Sequence, residues 1–450
     1  MKSFIGGIHP RYDKITRKDM IKVAPLPKRV ILPLQQHTGA ICEPLVNSED
    51  IVKVGQKIAE SKEFVSACIH ASISGQVLGI AKAKHPVLGE CKAIVIESEV
   101  NRIKDSKYPS GIKIEWDESV KRRENVDKLT KDELKGIIKE AGVVGLGGAA
   151  FPTHVKLSPP PEKKIDTVIL NGAECEPYLT CDHRIMLEQT ERIIKGMQII
   201  IKILEAENYY IGIEDNKENA IALFEEKLLG MGLQDKIKVI RLETIYPQGE
   251  EKNLIYSIIK REVPNNGGLP RDTGVVVQNV QTAKAIYDAV YEGKPLIERV
   301  VTITGAVKEP KNLLVKIGTL VKDLIEYCGG YEGSIGKIIS GGPMTGIAQY
   351  SDDIPIIKGS SGVLVQKEEV IKEEERDCIR CGRCVDKCPM GLMPTIIFQY
   401  AQKDEFDKCE EYFAFDCYEC GVCSYVCPSK IPLVHWIKYA KNELMKRRKK

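Results

Sequence analysis

Two cysteine runs of identical spacing constrain this chain more than anything else in it. They are Cys378-x2-Cys381-x2-Cys384-x3-Cys388-Pro389 and Cys417-x2-Cys420-x2-Cys423-x3-Cys427-Pro428, and they hold eight of the fifteen cysteines. A disulfide framework would need an oxidising compartment. The opening residues up to Gly7 are followed by His9, Pro10, Arg11 and Asp13, not by the apolar core of a secretory signal. Apolar stretches such as Met197 to Leu204 and Thr273 to Val277 are far short of the roughly 20 residues a bilayer crossing needs. The expectation is a reducing cytoplasm in which these thiolates bind metal. Composition narrows the classes further. Lys+Arg 66 against Asp+Glu 63 leaves a net charge of +3, too little for a dedicated nucleic-acid binder, and 43% hydrophobic residues exclude disorder. A chain of 450 residues suggests about three or four domains.

Three thiolates on short loops can grip one face of a 4Fe–4S cube, and in the two-cluster arrangement the fourth cysteine of each run reaches across to the other cluster. That pattern assigns Cys378, Cys381, Cys384 and Cys427 to one cluster, and Cys417, Cys420, Cys423 and Cys388 to the second. Two zinc sites are the alternative, but zinc motifs usually pair Cys-x2-Cys with a distant second pair. Cys409, Cys42, Cys68, Cys91, Cys175, Cys181 and Cys328 lack ligand spacing and read as core residues or ordinary thiols.

The chain divides by texture into a multidomain α/β protein. Residues 1–115 contain short strands punctuated by Gly39, Gly55, Gly75, Gly79 and Gly89. The stretch VKVGQKIAESKEFVSACIHASISGQV resembles the hairpins of lipoyl and biotinyl carrier domains, implying a barrel-sandwich β-domain. The tip falls near Val65 and Lys62 is misplaced for a modified lysine, so no swinging arm is expected. An unrelated β-domain fits the pattern equally. A charged stretch from Asn101 to Asp127 reads as a linker, and Thr130 to Ala141 as a helix with Thr130 and Glu133 as a capping box. Across 116–298, strands Asp166–Leu170, Tyr209–Ile213 and Ile237–Arg241 alternate with helices Arg184–Ala206, Lys217–Leu229 and Glu250–Arg261. This predicts a Rossmann-like, mainly parallel sheet with helices on both faces. Residues 299–366 return to glycine-rich β texture and resemble the SLBB β-grasp module. Lys367 to Arg376 links them to a helical two-cluster ferredoxin domain at 367–450.

A second constellation opens at Gly142 with GVVGLGGAAFPTHVK, where missing side chains let backbone N–H groups approach a phosphate or a flat ring. Taken alone such a loop is weak evidence. Its order with NGAECEP at Asn171 to Pro177, YPQGEE at Tyr246 to Glu251, and QNVQT at Gln278 to Thr282 resembles the FMN- and NADH-binding flavoprotein subunit of respiratory complex I. With the β-domain before it and the cysteine tail behind, the whole chain resembles the RnfC family, the C component of Rnf electron-transport complexes. The resemblance implies a site of Gly145, Gly147, Gly148, Phe151 and Lys156, with Asn171, Glu174 and Glu176 on the flavin. It also implies Tyr246, Gly249, Glu250 and Glu251 lining the pocket, and Asn279 and Thr282 closing it. Departures are Val144 and Leu146 where the complex I pattern has arginines, Ala150 where it has glycine, and Ala173 where it has aspartate. Any single one of the four acids also reads as a helix-start residue favoured by the dipole.

At the end of the chain Leu433, Ile437, Ala440 and Leu444 recur at helical spacing, and residues 438–450 carry seven basic residues against Glu443. Such a helix would lie on an anionic membrane or dock on a partner protein; a frayed terminus is the bland reading.

The family resemblance implies two 4Fe–4S clusters, FMN and NAD(H) in a peripheral subunit on the cytoplasmic side of the membrane. Its partners would be other redox subunits, with ferredoxin reached indirectly and electron transfer coupled to Na+ or H+ translocation. No catalytic acid or base is expected, because hydride transfer needs none. The alternatives are a soluble NADH-linked flavoprotein of a hydrogenase or formate dehydrogenase, and a non-catalytic electron-relay adaptor.

Overall fold

The structure is a computed structural model that describes residues 2–98, 116–368 and 374–448. Most of the expected linker at 101–127, and part of the link at 367–376, lie outside the described residues.

The central domain is built on four parallel strands: β1 (Thr167–Gly172), β2 (Asn208–Glu214), β3 (Ile237–Leu242) and β4 (Val275–Asn279). Their spatial order is β3, β2, β1, β4. The chain runs outward from β1 to β3 and then returns to the other side of β1, so strand order reverses at the β1/β4 pair. The carboxyl ends of such a switch point open into a crevice that helices cannot fill. Helices cover both faces. Leu254, Ile255 and Ile258 of α5 (Glu251–Ile259) pack with Ile169, Val275 and Val277 on one side. The other side is covered by α3 (Thr190–Leu204), α4 (Glu218–Gly230) and α6 (Val280–Tyr291), whose buried residues join the largest core. Upstream, α1 (Lys131–Glu140) starts on the predicted capping box, with Thr130 and Glu133 reciprocally bonded.

One expected helix is two. Arg184–Ala206 divides into α2 (Cys181–Glu188) and α3, and Gln189 between them takes φ −134°, outside helical space. Thr190 bonds back from its hydroxyl to the Met186 carbonyl, closing the break locally. The start at Cys181 is set by Glu174, whose carboxylate accepts from the N–H groups of Asp182 and His183 at 2.6 and 3.2 Å.

The N-terminal β-domain stacks a four-stranded sheet on a three-stranded one, as a barrel sandwich requires. Strands Arg29–Pro33, Gly89–Ser98, Gly75–His85 and Ile51–Val52 form the first, and Glu43–Pro44, Lys57–Glu60 and Ile69–His70 the second. Val30, Leu32, Ile94 and Ile96 alternate inward against Ile58 and Ile69. Gly75 is obligatory, since a Cβ there would lie 1.9 Å from the Glu97 carbonyl oxygen.

Residues 2–24, grouped by sequence with the β-domain, pair elsewhere. Lys2 bridges to Leu242 and Ile8 to Tyr246, while Lys22–Val23 adds a parallel strand beside Lys311–Lys316. That last strand belongs to a six-stranded sheet carrying the helix Val321–Tyr327, in the region that resembles SLBB.

The C-terminal helix, Leu433–Arg448, is neither frayed nor a free amphipathic face. Ile437, Ala440 and Leu444 are buried among Ile397, Phe406 and Cys409 of the cysteine module. Its basic residues pair with acids of the same module: Lys441 with Glu419 at 2.6 Å, Arg447 with Asp407 at 3.1 Å, and Arg448 with Glu410. Among the described residues no helix is long and apolar enough to cross a membrane.

Candidate functional site

At the switch point lies a cavity of about 800 Å³. Asn171 and Asn279, the last polar residues of β1 and β4, are register partners and both line it. Each is locked by its own side chain. Asn171 donates to the Gly249 carbonyl at 2.7 Å and accepts from Ala173 N–H at 3.1 Å. Asn279 caps α6 by accepting from Gln281 N–H at 2.8 Å and donates to Asp182 at 2.7 Å.

Glycines thin the wall. A Cβ on Gly147 would meet Asn279 Cβ at 3.3 Å, and one on Gly249 would meet Ala173 Cβ and Cys175 Sγ at 3.3 Å. Gly148 has φ +132° and nothing within 4 Å of a Cβ built there, so its bare backbone faces the cavity and a side chain would occupy that space. This is the cradle a flat ring or phosphate needs, and the residues present fit such a group.

Glu174 and Glu176 also line the cavity, and both are structurally employed. Lys14 donates to the carbonyl oxygens of Glu174, Glu176 and Leu179 at 2.6, 2.8 and 2.7 Å, pinning the loop from the N-terminal segment. Burial pushes the Glu174 carboxyl up, opposed by the Lys14 charge. Glu176 accepts from Met344 N–H at 3.2 Å and from the Thr345 N–H and hydroxyl at 2.7 and 2.5 Å, docking the SLBB-like region onto the site.

The other residues expected at the site sit one layer back. Gly145 N–H closes the glycine loop onto the Phe151 carbonyl at 2.8 Å. Thr282 accepts from Leu146 N–H at 2.9 Å. Lys156 forms an ion pair with Glu251. Glu250 caps α5 by accepting from Lys252 and Asn253 N–H at 2.8 and 3.1 Å, and burial pushes its carboxyl up to about 7. Tyr246 is buried and donates to the Cys420 carbonyl at 2.7 Å.

Several lining residues escaped the sequence reading: Gln36 and His37 from the β-domain, Gly342 and Ser360 from the SLBB-like region, and Asp182 from α2. The small-residue run Gly359, Ser360, Ser361, Gly362 was the one available signal. Val144 is buried in the core and Leu146, also buried, lines the cavity, while buried Arg299 donates to the carbonyl oxygens of Leu146 and Lys358.

The eight cysteines gather in two sets. Cys427 lines a cavity of about 340 Å³ with Cys378, Cys381 and Cys384. In the other set, burial first and then mutual charge push the Cys417, Cys420 and Cys423 thiols up, and Cys388 acts on all three. The two sets differ in position. Tyr418 and Glu419, inside the second run, line the 800 Å³ cavity, and Asn253 of α5 donates to the Tyr418 hydroxyl at 2.8 Å. In the first set Cys381 is exposed beside Ile379, which is 67% exposed, while Cys378 and Cys384 are half-buried and Cys427 is buried.

Family models match four consecutive regions: the RnfC barrel sandwich hybrid domain over residues 2–101, the Nuo51 FMN-binding domain over 138–288, the SLBB domain over 300–348, and the 4Fe-4S dicluster domain over 377–431. Together they define the class, an iron–sulfur flavoprotein. The C component of the proton-translocating ferredoxin:NAD(+) oxidoreductase complex of Clostridium ljungdahlii is 52% identical, over 98% of this chain and 94% of the relative. Its Na(+)-translocating counterpart from Acetobacterium woodii is 44% identical over 100% and 98%. The C component of the ion-translocating oxidoreductase complex of Rhodobacter capsulatus is 38% identical over 99% and 84%. This chain belongs to the RnfC family, the C components of ion-translocating ferredoxin:NAD(+) oxidoreductase complexes.

Proposed function

We propose that this chain is the NADH dehydrogenase-like component of such a complex, exchanging electrons between NAD(H) and its partner subunits, peripheral on the cytoplasmic side of the membrane. Bound FMN supplies the exchange of a two-electron hydride with nicotinamide for the single electrons that 4Fe–4S clusters carry. The observation that carries this reading is contiguity: Tyr418 and Glu419 belong both to the cavity wall and to the second cysteine run.

This chain's residues bind and orient. Gly147, Gly148 and Gly249 let a planar group reach backbone, and Asn171 and Asn279 hold the β1 and β4 ends rigid. Glu174 and Glu176 keep the loop between β1 and α2 closed against its neighbours. Gly145, Phe151, Lys156, Tyr246, Glu250, Glu251 and Thr282 support that wall from behind. Cys388, Cys417, Cys420 and Cys423 hold the inner cluster, and Cys378, Cys381, Cys384 and Cys427 the outer one, from which electrons leave for other subunits. Two relatives are named for proton and for Na+ translocation. With no spanning helix among the described residues, ion movement falls to the partner subunits.

The test is anaerobic reconstitution of the purified chain with iron, sulfide and FMN. The expected result is about eight irons per chain, bound FMN and NADH-dependent dye reduction. Loss of both FMN and dye reduction would overturn the flavin half.

A further inference from the structure

The two cysteine runs are copies in backbone as well as in spacing, and only one copy is covered. Arg380 and Glu419 hold the same place in the two loops, at φ +55° and +63°, and Gly382 and Gly421 follow at +75° and +78°. The short helices Arg383–Asp386 and Val422–Tyr425 come next. The loops therefore compare residue for residue: Ile379 with Tyr418, Arg380 with Glu419, Arg383 with Val422.

In the second run this face is a seat. The Tyr418 hydroxyl accepts from Asn253 of the central domain, and Val422 is fully buried beside Ile8 and Tyr246. A Cβ on Gly421 would meet the Met344 carbonyl oxygen at 3.0 Å, and Glu419 is paired with Lys441. The face over this run is thus where the run meets the wall of the large cavity.

In the first run the same face has no cover among the described residues. Ile379 is exposed where Tyr418 is half-buried, and a Cβ on Gly382 would meet nothing within 4 Å. Arg380 and Arg383 are exposed, and among the described residues neither makes an ion pair. Between Cys378 and Cys384 the loop carries no acid; Asp377 and Asp386 lie outside it. Ligand geometry does not call for these cations, since the second run has Glu419 and Val422 in their places. An apolar centre flanked by free guanidinium forks is the make-up of a protein interface that meets carboxylates.

We propose that Ile379, Arg380 and Arg383 form the docking face for a partner redox protein that presents carboxylates around its own one-electron centre. The reduced outer cluster gives up one electron and the partner's centre gains it, or the reverse, with no bond made or broken. The carboxylates follow from the guanidinium forks, and the redox centre from the covered copy, whose equivalent face abuts the cavity. The proposal rests on the reading that the outer cysteine set exchanges electrons with other subunits.

The whole complex is purified with Arg380→Glu and Arg383→Glu together, with Arg380→Lys and Arg383→Lys together, and with Ile379→Ser. In the glutamate pair NADH still reduces the outer cluster, seen by EPR, but NADH formation from NAD+ and reduced ferredoxin falls at least about tenfold, or the chain leaves the complex. Ile379→Ser slows the same step, and unlike the arginine effect this loss persists at high salt. The lysine pair keeps most of the rate, and a carbodiimide joins its new amines to carboxylates of an iron–sulfur or flavin subunit, located by mass spectrometry. An unchanged ferredoxin-linked rate in the glutamate pair overturns the docking face alone. So do cross-links confined to this chain or to a subunit without a redox centre, and so does arginine-dependent flotation of the wild-type chain with phosphatidylglycerol vesicles. A wild-type complex whose outer cluster NADH does not reduce overturns the electron-exit reading with it.

Discussion

Gly148 shows how narrowly a cavity wall can depend on one residue. Its φ of +132° belongs to a region that L side chains rarely adopt, and its missing Cβ opens onto cavity. Gly148→Val is therefore expected to yield protein with full cluster iron and little or no bound FMN; retention of flavin at the wild-type level would contradict the cradle. At this scale the site was partly legible. Gly147, Gly148, Asn171, Glu174, Glu176, Gly249 and Asn279 line the cavity because their motifs sit at strand ends and turns, where local sequence dictates backbone. Lys156 and Glu251 instead satisfy each other, and Glu250 is occupied as a helix cap. Charge and spacing look the same in sequence whether an acid meets a ligand or a neighbouring lysine. Gln36 and His37 carried no signal, since their place at the site arises from the packing of domains more than a hundred residues apart.

At the scale of elements, the joint between the central sheet and the SLBB-like sheet rests on a buried charge. Glu298 lies between Lys294 and Lys316 on the strand that leaves the central domain. Burial alone would raise its carboxyl, but Lys316 and then Lys294 outweigh this and hold it down at about 2, against 4.5 for an ordinary glutamate. The folded state thus gains on the order of 3 kcal/mol when the group is ionised. That gain is present above about pH 4.5 and lost as pH falls toward 2. Glu298→Gln, which leaves two lysines uncompensated, should lower the melting temperature at pH 7, and the gap should close in acid; equal melting temperatures at pH 7 would refute the assignment. Elements with strong periodicity, such as β2, α4 and α5, were readable to within a residue or two. The break at Gln189 was not, because the α2 start depends on a cap supplied by Glu174 from a separate loop.

For the whole molecule, the N-terminal segment is the strap that sequence texture could not assign. It touches the central sheet through Lys2 and Ile8, pins the cavity loop with Lys14, and adds Lys22–Val23 to the SLBB-like sheet. Gly7 N–H also donates to the Lys387 carbonyl at 3.0 Å, beside Cys388. The cysteine runs stand out in the sequence because ligand spacing is short-range, whereas their order relative to the cavity needed the tertiary structure. That order is the central claim: cavity, then the Cys388, Cys417, Cys420 and Cys423 set, then the exposed set. The most direct test is EPR of the reconstituted Cys420→Ala chain after addition of NADH and, separately, dithionite. The account predicts a flavin still reduced by NADH and an outer cluster reduced by dithionite but no longer by NADH at the wild-type rate. Reduction of the outer cluster by NADH at an unchanged rate would contradict it.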